Sequence, residues 1–242
     1  MVFGAILAGG KGTRMGIDKP KQFLMLGSRP IIIHTIEKFI LSPDIDEIYV
    51  GVHPDWIDYT EDLIKKYIDS DKNIILVPGG TDRNSTIFNI IDEIEKRNGD
   101  DEDNIIVTHD SVRPFVTLRI IGENVEMAKE CGAVDTVISA VDTIVVSEDG
   151  EKITSIPDRR QMFQGQTPQT FKISKLKFSL FVIAFSNKSS SPSSELSHTN
   201  PICLLSTNSF AEVVCVVSTG TPNTAASAYT IGAASWIEGN RK

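Results

Sequence analysis

Apolar and polar positions follow a regular order over the first 175 residues of this chain. Four short apolar runs have the composition of buried strands: residues 2–7, 47–52, 73–77 and 104–108. Four longer stretches place apolar residues at helical spacing: residues 30–41, 56–68, 84–96 and 118–131. Strand and helix in alternation predict an α/β fold with a doubly wound, mostly parallel sheet. Ligands of such sheets bind beyond the carboxyl ends of the strands.

Two extended runs at residues 136–147 and 152–156 interrupt this alternation, and Glu148, Asp149 and Gly150 join them. Asp-Gly between extended runs is a strong signal for a β-hairpin. The pattern therefore predicts a protruding hairpin arm over about residues 136–160, within one domain of residues 1–175. Its apolar residues indicate a homodimer contact, and a ribbon folded back on its own subunit is the alternative.

The composition changes after residue 175. Residues 176–242 contain thirteen serines and no aspartate, with the cluster SNKSSSPSSELS at 186–197. Such composition is typical of loops and disordered linkers, so we expect an atypical, partly disordered C-terminal segment. Within it, residues 202–205 and 211–217 resemble strands, and residues 225–236 resemble a short helix.

The bulk properties exclude several classes of protein. The formal net charge of -8 argues against a nucleic-acid-binding surface. No apolar run approaches the ~20 residues of a membrane helix, and the N-terminus lacks the basic flank of a signal peptide, so we expect a cytoplasmic protein without a membrane partner. The three cysteines lack the C-x-x-C spacing typical of zinc sites. An anionic ligand must therefore meet a local basic patch.

The segment LAGGKGTRMG at residues 7–16 directly follows the first predicted strand. It is not a dinucleotide fingerprint, because Met15 stands where glycine is needed, nor a P-loop, because Gly12 stands where a hydroxyl residue is needed. Glycines let backbone N–H groups approach a phosphate, and Arg14 and the later Lys21 add positive charge. A phosphate-binding turn is predicted, and a tight turn with solvent-facing charges is the alternative.

Five segments in order carry a family resemblance: LAGGKGTRMG with PKQF, GGTDRNST at 79–86, VTHDSVRPF at 107–115, AVDTIV at 140–145 and IPDRRQMFQGQTPQTF at 156–171. Together they resemble the sugar-phosphate and polyol-phosphate cytidylyltransferases, which implies a Rossmann-like nucleotidyltransferase sheet with a β-hairpin arm. One branch of that family forms the CDP derivative of methylerythritol phosphate for isoprenoid synthesis. The other forms CDP-ribitol from ribitol 5-phosphate for teichoic acid of the cell wall. The segments HTIEKF, VGVHPDW, GGTDRN, THDSVRPF and FQGQTPQ favour the ribitol branch.

In the implied reaction a sugar-phosphate oxygen attacks the α-phosphorus of CTP and expels pyrophosphate, so catalysis needs alignment and positive charge. The resemblance implies three catalytic cations: Arg14, Lys21 and Arg159. It implies nucleotide contacts from Leu7, Ala8, Gly9, Gly10, Gly80, Thr81, Asp82, Arg83, Asn84, Ser85, Thr86 and Ser111. It implies substrate contacts from Asp110, Arg113, Thr143 and Thr167, with Thr143 reaching the neighbouring subunit.

Three alternatives stay open among these residues. Asp110 is expected to hold Mg²⁺ or another divalent cation, and capping of the next segment is its competing role. Asp82 and Arg83 contact the base or form an ion pair with each other. His109 is assigned a structural role, because a phosphate monoester is already ionised at neutral pH and needs no general base.

The resemblance does not extend through the chain. A TDA-like segment and an N-I-K-I-T strand, whose lysine helps to bind the sugar phosphate in the family, have no counterpart in residues 176–242. Losing one charged contact to phosphate costs about 1.5 to 3 kcal/mol, so weak turnover or none is predicted. A non-catalytic nucleotide-binding homologue and a transferase that uses UTP or GTP are the competing functions.

Overall fold

The structure, a computed structural model, describes residues 1–10 and 19–177, and residues 214–218 through their backbone. The strands are β1 (Val2–Ala8), β2 (Met25–Leu26), β3 (Arg29–Pro30), β4 (Glu47–Val52), β5 (Ile74–Pro78), β6 (Ile105–Asp110), β7 (Ala133–Ser139), β8 (Phe163–Lys172) and β9 (Val214–Ser218). The helices between them are α1 (Ile31–Leu41), α2 (Ile57–Tyr67), α3 (Arg83–Asn98) and α4 (Leu118–Cys131). Short 3₁₀ turns cover Lys21–Phe23, Pro54–Trp56 and Arg159–Gln161.

Within the described residues, seven strands form one sheet in the order β5-β4-β1-β6-β8-β7-β9, and β2 pairs with β3 in a separate ribbon. Strand β8 runs antiparallel to both neighbours, whereas the other neighbouring strands pair in parallel. The predicted mostly parallel α/β sheet is therefore confirmed. Each of the four predicted apolar runs begins within one residue of an observed strand.

Helices cover both faces of the sheet. Successive side chains of a strand point to opposite faces, so a strand of continuous apolar residues is buried only when both faces are covered. On β1, Phe3 and Ala5 pack with α3, whereas Ile6 and Ala8 pack with α1, α2 and α4. All four of these side chains are buried. The double winding leaves the carboxyl ends of β1, β4, β5 and β6 together at one edge.

The predicted arm begins later than expected. Residues 136–139 belong to β7, which pairs with β8 up to the partners Ser139 and Phe163. Thr136 is buried and accepts a hydrogen bond from Asn124 Nδ2 of α4 at 2.9 Å, so this run continues the core. The arm therefore covers residues 140–162. Within it, one antiparallel bridge joins Val146 and Ser155 across the turn at Gly150.

Strand β9 lies at the edge of the sheet and pairs in parallel with β7. It overlaps the strand predicted at residues 211–217. The predicted elements at 202–205 and 225–236, like most of the atypical segment 176–242, lie outside the described residues. In the described part of the chain, every helix is too short or too polar to cross a bilayer.

Candidate active site

A cavity of about 260 Å³ opens at the carboxyl edge of the sheet. Its lining comes from the end of β1, the loop before α3, the first turn of α3 and the end of β6: Leu7, Gly9, Gly10, Gly80, Thr81, Asp82, Arg83, Thr86 and Asp110. The family resemblance implied all nine of these residues. Their convergence comes from topology, because parallel neighbours β1 and β6 end at the same edge.

Thr86 forms the floor of this cavity and is buried. Its Oγ1 accepts a hydrogen bond from Gly80 N at 3.0 Å and donates one to Asp82 O at 2.8 Å. A Cβ atom at Gly9 would lie 3.1 Å from Thr86 Oγ1, and one at Gly51 would lie 2.5 Å from Thr86 Cγ2. Glycine at both positions therefore lets α3 approach the strand ends closely.

Asp82 caps the N-terminus of α3. Its Oδ1 accepts from Ser85 N at 2.8 Å, while Ser85 Oγ accepts from Asp82 N at 3.0 Å, which is a reciprocal capping box. Asp82 and Arg83 line the cavity, so the N-terminus of α3, with its partial positive charge, lies at the cavity. The alternative of an Asp82–Arg83 ion pair is wrong, because Arg83 pairs with Asp110 instead.

Two guanidinium groups hold the carboxylate of Asp110. Arg83 Nη1 donates to Oδ1 at 3.1 Å, and Arg113 Nε donates to Oδ2 at 3.0 Å. Burial lowers the pKa of Arg83, and the charge of Asp110 opposes that shift. The side chain of Asp110 does not cap the next segment, since Thr117 is the N-cap of α4. Together these three side chains carry one net positive charge, which is offset by the carboxylate of Asp82 in the cavity lining.

Two glutamines of β8 brace these arginines from behind. Arg83 Nη2 donates to Gln169 Oε1 at 3.0 Å, and Arg113 Nη1 donates to Gln166 Oε1 at 2.6 Å. Gln169 Nε2 in turn donates to Asp135 Oδ1 at 3.2 Å, and burial raises the pKa of Asp135 to about 6. None of these roles was predicted from the sequence. The one feature that could have indicated them is Asp135, an aspartate among the β-branched residues of β7.

The 3₁₀ turn that carries Lys21 is tied to the end of β1. Gln22 Nε2, in a buried side chain, donates to Ala8 O at 3.0 Å and to Gly10 O at 3.4 Å. Sequence reasoning missed Gln22, although it stands in the PKQF motif. Lys21 forms no ion pair with any residue that the structure describes, so its charge is available to a ligand. Arg14 lies outside the described residues.

The remaining nucleotide contacts implied by the resemblance lie next to the cavity without lining it: Ala8, Asn84, Ser85 and Ser111. Ser111 is buried, and its carbonyl accepts from Thr35 Oγ1 at 2.9 Å, which holds the loop after β6. His109 contacts Arg113 O through Nε2 at 3.0 Å, and burial lowers its pKa to about 4. His109 is therefore neutral at pH 7 and supports the loop.

The two site residues predicted on the arm, Arg159 and Thr143, do not line this cavity. Arg159 Nη1 donates to Val141 O at 2.9 Å, and Thr143 is exposed. Neither residue lines the cavity of its own chain. On β8, the hydroxyl oxygen of Thr167 is buried and has no hydrogen-bond partner among the described residues.

The model of a known family, 2-C-methyl-D-erythritol 4-phosphate cytidylyltransferase (IspD), matches residues 2–189. The chain belongs to this family. Its members are cytidylyltransferases, a class of nucleotidyltransferase. The match ends at residue 189, within the segment whose composition departs from the rest of the chain.

Solved structures of IspD proteins share the fold. The 4-diphosphocytidyl-2C-methyl-D-erythritol synthase of Anaerococcus prevotii is 25% identical, with a TM-score of 0.71 over 90% of this chain and 86% of that one. The IspD enzyme of Francisella tularensis is 24% identical, with a TM-score of 0.69 over 90% and 89%. The enzyme of Thermus thermophilus is 21% identical, with a TM-score of 0.60 over 96% and 93%.

A divalent cation that arrives with a triphosphate would meet the carboxylate of Asp110, which also pairs with two guanidinium groups. The described residues contain no cluster of three or more His, Cys, Asp or Glu side chains that would hold a metal ion alone. Mg²⁺ bound together with substrate phosphates needs only one or two carboxylates from the protein. Each oxygen of Asp110 accepts one guanidinium hydrogen bond and keeps a further lone pair. Asp110 is thus the residue that would hold the cation, which would neutralise phosphate charge.

Proposed function

We propose that this cytidylyltransferase transfers the cytidylyl group of CTP to ribitol 5-phosphate and forms CDP-ribitol and pyrophosphate, a step toward teichoic acid. The observation that carries the proposal is the segment FQGQTPQ, which resembles the ribitol branch and lies on β8 behind the cavity. Its Gln166 braces Arg113, the residue expected to meet the incoming phosphate. The segments HTIEKF, VGVHPDW and THDSVRPF point to the same acceptor.

The proposed chemistry uses charge and alignment rather than a covalent intermediate. A phosphate oxygen of the acceptor attacks the α-phosphorus of CTP, and the bond to pyrophosphate breaks. Arg14 and Lys21 neutralise the charge that builds on the phosphoryl oxygens. The backbone of residues 80–86 and the floor at Thr86 bound a small pocket for cytosine. A bound divalent cation at Asp110 would neutralise the triphosphate, and Arg113 would hold the acceptor.

Methylerythritol phosphate is the second candidate acceptor, because the matched family model and the solved relatives carry its name. The test compares both acceptors with CTP and Mg²⁺ while pyrophosphate release is measured. A higher kcat/KM for ribitol 5-phosphate is expected, and a higher value for methylerythritol phosphate would replace the proposal. A parallel panel of CTP, UTP and GTP tests the nucleotide. CTP binding without product from either acceptor would make the protein a non-catalytic homologue.

The proposal includes a homodimer formed through the arm. Three apolar side chains of the arm are largely exposed in the single chain: Val141 at 75%, Ile153 at 61% and Ile156 at 62%. Arg159 and Thr143 stand on the same arm, apart from the cavity of their own chain. An arm that covers its apolar surface on a partner would bring both residues to the partner's cavity.

A mixing experiment tests this arrangement. Lys21→Ala damages the cavity, and Arg159→Ala damages the arm. If the arm acts on the partner, each mixed dimer of the two variants has one intact site. Equal mixing after dissociation should then restore roughly a quarter of the wild-type activity, because half of the dimers are mixed and each has one intact site of two. No recovery from a mixture that has exchanged subunits would place Arg159 in its own chain's site.

The altered C-terminal segment is expected to lower the activity of this protein. The family lysine that helps to bind the sugar phosphate has no counterpart in residues 176–242. We therefore propose turnover ~10 to 100 times lower than in a relative that has this lysine, since one charged contact is worth about 1.5 to 3 kcal/mol. Replacing residues 176–242 by the corresponding segment of such a relative should restore the rate. An unchanged rate in the chimera would contradict this part of the proposal.

A further inference from the structure

A half-buried carboxylate of β7, that of Asp135, lies behind the two arginines of the site, and none of the roles described above explains it. Asp135 sits in a run of apolar and β-branched residues, and its Oδ1 accepts a hydrogen bond from Gln169 Nε2 at 3.2 Å. Gln169 is itself buried. Aspartate is rare in such a position unless it is paired, so its presence calls for a specific partner.

The partners of Gln169 allow one orientation of its amide. Its Oε1 accepts from Arg83 Nη2 at 3.0 Å, and its Nε2 donates to Asp135. A flipped amide would turn its NH₂ group toward a guanidinium and its oxygen toward a carboxylate. Both contacts would then be repulsive, because a guanidinium only donates hydrogen bonds and a carboxylate only accepts them. Asp135 and Arg83 thus lock the amide between them.

We propose that Asp135 is a positioning residue, which fixes Arg83 and Asp110 at the cavity through the side chain of Gln169. The chain of contacts has three steps: Asp135 to Gln169, Gln169 to Arg83, and Arg83 to Asp110 at 3.1 Å. Of the four residues in this chain of contacts, only Arg83 and Asp110 line the cavity. Asp135 therefore acts from behind and touches no substrate. The kinetic part of this inference rests on the proposed cytidylyl transfer.

The test is a double-mutant cycle with a conservative rescue. Asp135→Leu removes the acceptor at similar volume, and Gln169→Met removes both amide contacts. Each should lower kcat/KM for CTP about tenfold or more, and the double variant should lose no more than the worse single variant. Asp135→Asn can still accept from Gln169 and should stay within about threefold of wild type. Additive losses, or a loss in Asp135→Asn equal to that in Asp135→Leu, would overturn the proposal.

A second measurement needs no substrate and separates this inference from the proposed function. In the ¹⁵N spectrum of the free protein, the side-chain amide signal that Gln169→Met removes is assigned to Gln169. Its protons should exchange slowly with water in the wild type and in Asp135→Asn, and quickly in Asp135→Leu. If Asp135→Leu does not fold, Asp135→Val suits a strand and takes its place. Slow exchange in Asp135→Leu or in Asp135→Val would show that Gln169 is held without Asp135. The exposed Asp71→Asn variant is the control and should match the wild type in both measurements.

Discussion

Replacing Asp135 by asparagine is expected to stabilise the fold at neutral pH, although the residue serves the site. Burial raises the pKa of Asp135 to about 6 from the ordinary 3.8. A carboxyl group with a raised pKa in the folded state contributes stability below the unfolded pKa and loses it as the pH rises through the folded pKa. The ionised group therefore opposes folding most strongly above pH 6.

The size of this effect follows from the two pKa values. A tenfold change in an ionisation constant is worth ~1.4 kcal/mol, so the cost of the charge reaches about 3 kcal/mol at pH 8. At pH 4.5 much of the group is protonated in the folded state, and the cost falls to about 1 kcal/mol. Asparagine resembles the neutral carboxyl group and avoids the cost. The free energy of unfolding of Asp135→Asn should therefore exceed that of the wild type by about 3 kcal/mol at pH 8 and by about 1 kcal/mol at pH 4.5.

Urea unfolding at pH 8 and at pH 4.5 measures the difference. Asp71→Asn, which removes an exposed carboxylate before β5, is the control and should change the free energy of unfolding little at either pH. The reasoning is refuted if Asp135→Asn is less stable than the wild type at pH 8. It is also refuted if the advantage of Asp135→Asn is the same at both pH values, because then ionisation is not its source.

Three further changes test the cavity itself. Lys21→Ala should lower kcat by ~100-fold with the free energy of unfolding unchanged, and Lys129→Ala, at an exposed position of α4, should keep full activity. Equal rates in both variants would remove Lys21 from the mechanism. Asp82→Ala should lower the free energy of unfolding by ~1 kcal/mol through the lost cap of α3, whereas Asp82→Asn should keep it. An unchanged Asp82→Ala variant would mean that the cap contributes nothing. Thr86→Val should raise the KM for CTP and destabilise the fold by ~1 to 3 kcal/mol, because Gly80 N loses its acceptor, whereas Asp82 O keeps the backbone N–H of residue 86. An unchanged free energy of unfolding and an unchanged KM would contradict this.

Strand β8 shows where pattern reasoning reached its limit. Its sequence FQGQTPQTFK contains glycine, proline and six polar side chains, so it has neither a continuous apolar run nor clean alternation. It nevertheless lies inside the sheet, where it runs antiparallel to its neighbours β6 and β7. Buried partners make this possible: Thr108 Oγ1 donates to Gln169 O at 3.0 Å, and Thr136 Oγ1 donates to Pro168 O at 2.7 Å. Such pairings between distant segments leave no local signal.

The amino-acid sequence by itself determined the parallel half of the fold and the composition of the cavity. Buried strands and helices have periodicities that a single segment carries, and the motifs at β1, α3 and β6 were readable because each is continuous. The tertiary structure alone decided which charges meet. Arg83 pairs with Asp110 rather than with its neighbour Asp82, and Asp135 reaches them through Gln169. The physical reason is that a charge pair depends on distance in space, which the folded sheet sets between residues far apart in the chain.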